Sequence, residues 1–231
     1  MQVSVLRSVL DTNDLIAREN RREFDAYGSF VVNLMSAPGS GKTAILERTL
    51  RELHGRLRAA VIEGDVQGTL DADRLAPLGV PVVQINTDPH FGGACHLDAR
   101  MIRNALPAVA LDGVDVVFIE NVGNLVCPAE FQVGEDKKVM VLSVTEGEDK
   151  PLKYPLMFRV SQLLLLNKMD LLEHLDFDLA RFRANVARVI PTLPVIELSA
   201  RTGRGVEAWV DWLRQEVAAA ATGRASSCGA T

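Results

Sequence analysis

Apolar residues in this chain fall into short uninterrupted runs that are separated by longer stretches of mixed polarity. Runs rich in Val, Ile and Leu are typical of strands covered on both faces, as in a parallel sheet. They predict strands at residues 30–34, 59–63, 80–85, 114–120, 138–144, 163–166 and 195–198. The stretches between most of these runs predict helices, which include residues 43–53, 96–106 and 177–189.

A last helix is predicted from an apolar stripe in the C-terminal part of the chain. The stripe consists of Val206, Trp209, Val210, Leu213 and Val217. This spacing gives a helix one apolar face that can pack on a sheet. The alternation of strands and helices predicts an α/β fold with a doubly wound, mostly parallel sheet, whose ligand binds at the carboxyl ends of the strands.

Length and composition predict the domain organisation. A chain of 231 residues with 48% apolar residues can bury one substantial core, so we expect one main domain at residues 29–220. Residues 1–28 have the pattern of an amphipathic helical arm outside that core. The small and polar residues at 221–231 predict a disordered tail.

Charge and cysteine content restrict the partners. The formal charge of −5, without a basic cluster, argues against nucleic acid, and no apolar run reaches the length of a membrane span. The odd number of cysteines, 3, does not suggest a disulfide framework, and no leader-like segment opens the chain. We therefore expect a cytoplasmic protein that binds neither nucleic acid nor a membrane.

A glycine-rich turn follows the first predicted strand. Residues 36–43 read Ser-Ala-Pro-Gly-Ser-Gly-Lys-Thr, the strand–turn–helix pattern of a P-loop nucleoside triphosphatase, although Ser36 replaces the usual first glycine. Lys42 would neutralise the β- and γ-phosphates, and the Thr43 hydroxyl would bind Mg²⁺. A chance glycine–serine turn is the alternative. The predicted nucleotide-binding residues of the turn are Gly39, Ser40, Gly41, Lys42, Thr43 and Ala44.

A second motif indicates which base is bound. Asn167, Lys168 and Asp170 follow an apolar run in the Asn-Lys-x-Asp pattern of GTP-binding proteins. A carboxylate such as Asp170 accepts hydrogen bonds from both N1–H and the amine of guanine, and adenine offers no such donor pair. Asn167 would contact the base edge or tie neighbouring loops together. Ser199 and Ala200 stand where GTPases place a base-contacting backbone N–H, so the predicted nucleotide is GTP.

Carboxylates lie at the ends of two other predicted strands. Asp65 and Glu120 would both reach the edge of the sheet where a phosphate-bound metal lies. We predict that they bind Mg²⁺, directly or through water, that Lys42 and Thr43 complete the catalytic set, and that Gly123 bonds the γ-phosphate. The alternative is a pair of solvated surface carboxylates. The sequence offers no glutamine near Gly123 to orient the attacking water, so we expect slow hydrolysis.

Cysteine and histidine residues suggest a second kind of metal site. Cys95 and His96 are adjacent, and Cys127 follows Glu120 on the same loop. Thiolate and imidazole suit Zn²⁺ or Ni²⁺ better than Mg²⁺, although free cysteines are more often small buried apolar residues. Three ligands per chain are too few for a closed site, which suggests that a homodimer completes it across a two-fold axis. His90 is a further candidate ligand, or a solvated loop residue.

Four longer segments resemble one known family. They are residues 93–99, 120–128, 143–155 and 166–172. Together they resemble the nickel-incorporation GTPases of NiFe-hydrogenase maturation, the hydrogenase accessory protein HypB family. The resemblance implies a P-loop GTPase of the SIMIBI class over residues 29–220, with GTP/GDP, Mg²⁺, Ni²⁺ and Zn²⁺ as its ligands.

The same resemblance implies an assembly and a set of partners. Family members are homodimers whose dimerisation depends on GTP, and Cys95, His96 and Cys127 would bind Ni²⁺ or Zn²⁺ at the dimer interface. The implied partners are a small zinc-containing nickel chaperone and the hydrogenase large subunit that receives nickel. GTP would draw the loop after Glu120 inward, and hydrolysis would loosen the metal ligands.

The sequence also departs from this family and leaves alternatives open. It has neither the cysteine-rich N-terminal motif nor the histidine-rich tract of some members. A urease-type nickel-insertion GTPase would carry Cys-Pro-His, but Ala129 follows Pro128 here. A small-molecule kinase of the same fold would not need Asn-Lys-x-Asp. A metal-binding reservoir without significant turnover is the last alternative.

Overall fold

A parallel sheet forms the centre of the computed structural model, which describes residues 9–65, 74–87 and 94–228. In this part of the chain the sheet has 7 strands in the order β3-β2-β4-β1-β5-β6-β7, and every neighbouring pair is parallel. The predicted α/β fold is therefore confirmed. The strands are β1 Phe30–Ser36, β2 Ala59–Asp65, β3 Val82–Asn86, β4 Val116–Glu120, β5 Lys137–Ser143, β6 Leu163–Asn167 and β7 Val195–Glu197.

Helices of very different lengths connect the strands. They are α1 Val9–Ala26, α2 Lys42–Leu53, α3 Ala99–Ala105, α4 Cys127–Glu130, α5 Lys150–Lys153, α6 Pro155–Val160, α7 Leu179–Val189 and α8 Val206–Cys228. Helix α3 begins later than predicted because Asp98 caps it, accepting a hydrogen bond from the Met101 N–H. Cys95 and His96 consequently lie in the loop before the helix. The short helices α4, α5 and α6 were not predicted.

Alternate residues of each central strand face opposite layers of helices, as the pleat requires. Val32 of β1 and Phe118 of β4 pack with Trp209 of α8 in the core on one face. Val31 of β1 belongs to the core on the other face, where Phe24 of α1 is buried. Both faces of the sheet are therefore covered, which accounts for the uninterrupted apolar runs in the sequence.

The N-terminal helix differs from its prediction as an arm outside the core. It is helical, but Phe24 is fully buried against the sheet. The side-chain amide of Asn20 donates to the backbone oxygens of Ala99 and Val133, at 2.8 and 3.1 Å. An apolar anchor and buried hydrogen bonds therefore fix α1 to the loops beside α3 and β5.

The C-terminal segment also differs from its prediction. Helix α8 continues to Cys228, so residues 221–228 are helical where the sequence suggested a disordered tail. The alanine-rich stretch before them favours continuation of a helix, and Arg224 donates to the backbone oxygen of Gly28 at 2.7 Å. Among the described residues, no helix is both long enough and apolar enough to span a membrane.

Candidate functional site

The glycine-rich turn lies at the carboxyl end of the central strand. Strand β1 ends at Ser36 and helix α2 begins at Lys42, so the strand–turn–helix prediction is confirmed. Gly41 has φ 94°, and a β-carbon there would lie 2.5 Å from the side-chain nitrogen of Asn167. Only glycine can occupy this position, because both the left-handed backbone and the close approach of Asn167 exclude a side chain.

Ser36, the departure from the usual pattern, supports the lysine of the turn. The ammonium of Lys42 donates to Ser36 Oγ at 2.8 Å, and both residues are buried. A glycine at position 36 would provide no such acceptor. The substitution therefore adds a contact that orients Lys42 across the base of the turn.

A cleft of about 430 Å³ opens above this turn. Thr43 Oγ1 donates to Glu120 Oε1 at 2.7 Å, which joins the start of α2 to the end of β4. Asp65 lines the same cleft from the end of β2. A hydroxyl and carboxylates around one cavity are oxygen donors of the kind that Mg²⁺ binds, so these residues fit that ion. The cleft is lined by Pro38, Gly39, Gly41, Lys42, Thr43, Ala44, Glu63, Gly64, Asp65, Arg74, Glu120, Asn121, Val122 and Gly123.

Glu63 is a site residue that the sequence prediction did not include. It lies beside Glu120 in the register of β2 and β4, lines the cleft, and is only 2% exposed. Glu63 and Asp65 are two residues apart on β2 and so point to the same face of the strand. This spacing could have predicted Glu63 as a site residue, because it places Glu63 and Asp65 on the same side of β2, facing the cleft.

Asn167 connects two loops of the site instead of pointing freely to a base. Its side-chain nitrogen donates to the backbone oxygen of Ser40 at 2.9 Å, and its oxygen accepts from the Ala200 N–H at 3.1 Å. The sequence left open whether this residue contacts the base or ties loops together. The structure shows the second arrangement, which holds the phosphate-binding turn against the Ser199–Ala200 loop.

Two neighbouring side chains donate hydrogen bonds to the carboxylate of Asp170. Ser199 Oγ donates to one carboxylate oxygen at 2.5 Å, and Arg201 Nε donates to the other at 2.8 Å. The hydrogen bond from Ser199, assisted by Arg201, holds the pKa of Asp170 below its ordinary value. The carboxylate is therefore ionised and held in one orientation. Lys168 donates to the backbone oxygen of Gly39 at 2.7 Å.

Glu146 is a second residue to which the sequence assigned no role. Its Oε1 accepts from Ser40 Oγ at 2.7 Å and from the Ser143 N–H at 2.9 Å. It therefore links the phosphate-binding turn to the loop after β5. Glu146 lies in the family-like segment 143–155, but nothing in the local pattern distinguishes it from the acidic residues that follow it.

The predicted soft ligands meet within one chain. The sulfurs of Cys95 and Cys127 lie 2.8 Å apart, longer than an S–S bond, and Cys95 Sγ is 3.8 Å from Nδ1 of His96. One ligand atom from each of the three residues lies within 4.8 Å of the others. We call this group, Cys95, His96 and Cys127, the metal clamp. Two sulfurs and one imidazole nitrogen suit a borderline-soft ion such as Ni²⁺ or Zn²⁺.

Neighbouring groups tune the metal clamp. The His96 ring lies 4.0 Å, centre to centre, from the Phe131 ring, and burial lowers the pKa of His96. Hydrogen bonding to the Cys95 sulfur, together with burial, raises the pKa of Cys127. The Asn124 side chain donates to Cys127 Sγ at 3.4 Å and accepts from the Cys127 N–H at 3.4 Å. The imidazole is therefore ready to bind a metal at neutral pH, whereas the thiol of Cys127 must release its proton.

His54 and His174 are not part of the metal clamp. His54 follows helix α2, and His174 ends a 3₁₀ turn at Met169–His174. Neither belongs to the group of neighbouring ligands found among the described residues. His90, the further candidate ligand, lies outside the described residues.

Comparison with known sequences identifies the family. The domain described as CobW/HypB/UreG, nucleotide-binding domain, matches residues 30–197. The hydrogenase maturation factor HypB of Rhizobium leguminosarum bv. viciae is 52% identical over 218 residues, which cover 94% of this chain and 71% of the relative. The HypB protein of Escherichia coli (strain K12) is 51% identical over 208 residues, or 90% of this chain and 70% of the relative.

Solved structures agree with the sequence comparison. HypB from Helicobacter pylori in complex with nickel superposes with a TM-score of 0.83 at 37% identity, covering 89% of this chain and 95% of that one. HypB from Archaeoglobus fulgidus superposes with a TM-score of 0.82 at 37% identity, covering 90% and 99%. The domain match, the high identity and the shared fold together show that the chain belongs to the hydrogenase maturation factor HypB family.

Proposed function

We propose that this protein is a GTP-hydrolysing metallochaperone that binds nickel and delivers it to the large subunit of a NiFe hydrogenase. One observation carries the proposal. Glu120, which is hydrogen-bonded to Thr43, ends β4, and Cys127, which contacts Cys95, begins α4, so one short loop joins the two residues. A nucleotide in the cleft and a metal ion in the clamp would therefore act on the same short segment.

Residues of the glycine-rich turn and of the Asn-Lys-x-Asp motif support GTP binding. The backbone N–H groups at the start of α2 and the ammonium of Lys42 attract the phosphates. Asp170 accepts the two N–H groups of guanine, and the loops held together by Asn167 enclose the base. ATP is disfavoured because adenine would leave the Asp170 carboxylate without the donors it needs.

Thr43, Asp65 and Glu120 would hold Mg²⁺, with Glu63 beside them. When bound, Mg²⁺ would neutralise charge that develops on the phosphate oxygens. The protein's own contribution is to keep Thr43 and Glu120 in contact and to hold Lys42 on Ser36, so that little reorganisation is needed. Hydrolysis is slow in this proposal, because the sequence offers no glutamine near Gly123 to orient the attacking water.

Nickel is the cargo of the metal clamp. The sulfur of Cys95, the imidazole of His96 and the sulfur of Cys127 supply three ligands, and a second copy of the chain or a small molecule supplies the rest. Zn²⁺ fits the same ligands, because both ions accept thiolate and imidazole. The solved complex of H. pylori HypB with nickel supports Ni²⁺ as an ion that the metal clamp binds.

The nucleotide acts as a switch in this proposal. GTP draws the loop after Glu120 inward, favours the homodimer, and sets Cys127 against Cys95 and His96. Hydrolysis relaxes the loop and lets nickel leave for the hydrogenase large subunit, with a small zinc-containing nickel chaperone as a further partner. The nucleotide can change the metal affinity only by its different affinity for the two conformations, typically about 1–3 kcal/mol.

Turnover and metal binding test the proposal together. The purified protein should release phosphate from GTP and not from ATP, and it should bind Ni²⁺. Cys127→Ala should weaken Ni²⁺ binding and leave GTP binding intact, whereas Cys228→Ala, at the end of α8, should change neither. Equal turnover of both nucleotides, or nickel binding that survives Cys127→Ala, contradicts the proposal.

A further inference from the structure

The side chain of Asn121 connects the end of β4 to the segment that carries two of the metal ligands. Its oxygen accepts from the Leu97 N–H at 2.9 Å and from the Val122 N–H at 3.0 Å. Its nitrogen donates to the side-chain oxygen of Asn33, on β1, at 3.2 Å. Asn121 is only 2% exposed, so these hydrogen bonds lie inside the protein and hold the side chain in one orientation.

Leu97 touches the ends of both carboxylate-bearing strands. Its backbone is bonded to Asn121, which directly follows Glu120, and its side chain is fully buried. A β-carbon at Gly64, between Glu63 and Asp65 on β2, would lie 2.7 Å from the Leu97 side chain. Gly64 therefore leaves the space in which Leu97 packs, and Leu97 itself directly follows His96.

A displacement of Glu120 at the cleft would consequently reach the metal clamp through Asn121 and Leu97. A buried N–H that loses its acceptor is strongly disfavoured. When Glu120 shifts, Asn121 shifts with it, and the Leu97 N–H must follow to keep its hydrogen bond. Because His96 and Cys95 immediately precede Leu97, their distance to Cys127 changes as a result.

We propose that Asn121 is a positioning residue that transmits the nucleotide state of the cleft to Cys95 and His96 through Leu97. This inference rests on the proposed function, and it adds a second route to the direct path from Glu120 to Cys127. Asn121 acts on both halves of the metal clamp: its backbone begins the loop to Cys127, and its side chain holds the segment with Cys95 and His96.

The test measures Ni²⁺ affinity in the GDP form and in a form bound to a non-hydrolysable GTP analogue, for the full chain. The wild-type ratio of the two affinities is expected between about 5-fold and 150-fold. Asn121→Ala should reduce the ratio at least about twofold without abolishing it, because the direct path from Glu120 to Cys127 remains. Ni²⁺ affinity is measured at saturating nucleotide, because Asn121 lines the cleft. Asn13→Ala is the matched control, because Asn13 accepts from the Ala99 N–H at 2.9 Å but comes from α1 and not from the cleft.

The affinity ratios of the wild type and the two variants distinguish a failure of the inference from a failure of the proposed function. A wild-type ratio in Asn121→Ala, or an equal loss of the ratio in Asn13→Ala, overturns the inference and leaves the proposed function standing. A ratio of one in the wild type refutes the nucleotide switch itself. If Asn121→Ala does not fold, Gly64→Ala provides the same test. This variant keeps Asn121 but pushes on Leu97, so the inference requires a reduced ratio and an unchanged one overturns it.

Discussion

Thr43 donates a hydrogen bond from Oγ1 to Oε1 of Glu120 at 2.7 Å, although 77 residues separate them in the chain. The bond places the hydroxyl of the phosphate-binding turn and the carboxylate of β4 side by side at the same cleft. This is the arrangement expected of two oxygen donors that serve one Mg²⁺ ion. It also makes Glu120 the residue at which the nucleotide site and the loop to Cys127 meet.

Glu120→Gln should lower Mg²⁺-dependent GTP turnover by about tenfold or more, because the amide removes a negative charge from the metal site while keeping its shape. Phosphate release is measured across a Mg²⁺ titration. Glu52→Gln, at an exposed position on α2, serves as the control and should behave as wild type. An unchanged Mg²⁺ requirement in Glu120→Gln would show that this carboxylate does not serve the ion.

Asp170→Asn should weaken GTP binding by roughly 10-fold to 150-fold, the cost of losing hydrogen bonds to a charged group. The amide should in turn favour xanthosine triphosphate, whose ring offers an oxygen where guanine has an amine. Affinities for both nucleotides are measured by competition. Arg201→Ala removes one of the donors to Asp170 and should change GTP affinity less. Unaltered base preference in Asp170→Asn would place the base elsewhere.

Asn167→Ala should weaken GTP binding by roughly tenfold, because the buried Ser40 carbonyl and the Ala200 N–H lose their shared partner. Asn185→Ala is a matched control, since Asn185 makes a similar side-chain bond to the backbone oxygen of Glu148 at 2.9 Å. Nucleotide affinity and thermal unfolding are measured for both variants. If the two variants lose GTP affinity equally, Asn167 has no special part in joining the loops.

Nickel affinity should rise with pH. Burial lowers the pKa of His96, so its imidazole is already neutral near pH 7 and contributes little pH dependence there. The neighbouring Cys95 raises the pKa of Cys127, so its thiol keeps its proton through neutral pH and metal binding must displace that proton. The affinity should increase roughly tenfold per pH unit for each proton released and level off above the pKa of Cys127.

A competing chelator measures this pH dependence in wild type and in Cys127→Ala. Cys127→Ala should bind Ni²⁺ more weakly, and the pH dependence of its affinity should correspond to about one proton fewer than in the wild type. A wild-type affinity that is flat with pH, or a slope that survives in Cys127→Ala, would mean that this thiol is not a ligand.

The strands could be predicted from the sequence because both faces of the sheet are covered, so that most strands consist largely of apolar residues. The short helices could not be predicted from the sequence. Helices α4, α5 and α6 span 4, 4 and 6 residues and each has a proline in its first turn. Such lengths are too short to show a helical period. The packing of α1 onto the domain could not be predicted from Phe24 and Asn20, because it depends on contacts with residues that are distant in the sequence.

The positions of Lys42 and Thr43 beside the cleft, and of Asp170 just after β6, were predictable because each residue belongs to a local motif. Contacts between distant segments were not. The bond from Leu97 to Asn121 joins residues that are 24 positions apart, and no local pattern reveals it. The buried Lys138 is similar: it donates to the backbone oxygens of Ala129 and Phe131, at 3.2 and 2.9 Å, and so supports the backbone around the metal clamp.

The most direct test of the account is the affinity of the wild-type protein for a non-hydrolysable GTP analogue, relative to GDP, with and without bound Ni²⁺. Linkage requires that nickel favour the GTP analogue by the same factor by which the analogue favours nickel. The account predicts that nickel strengthens the preference for the analogue by about 5-fold to 150-fold. The same preference in the metal-free and nickel-loaded protein would contradict it.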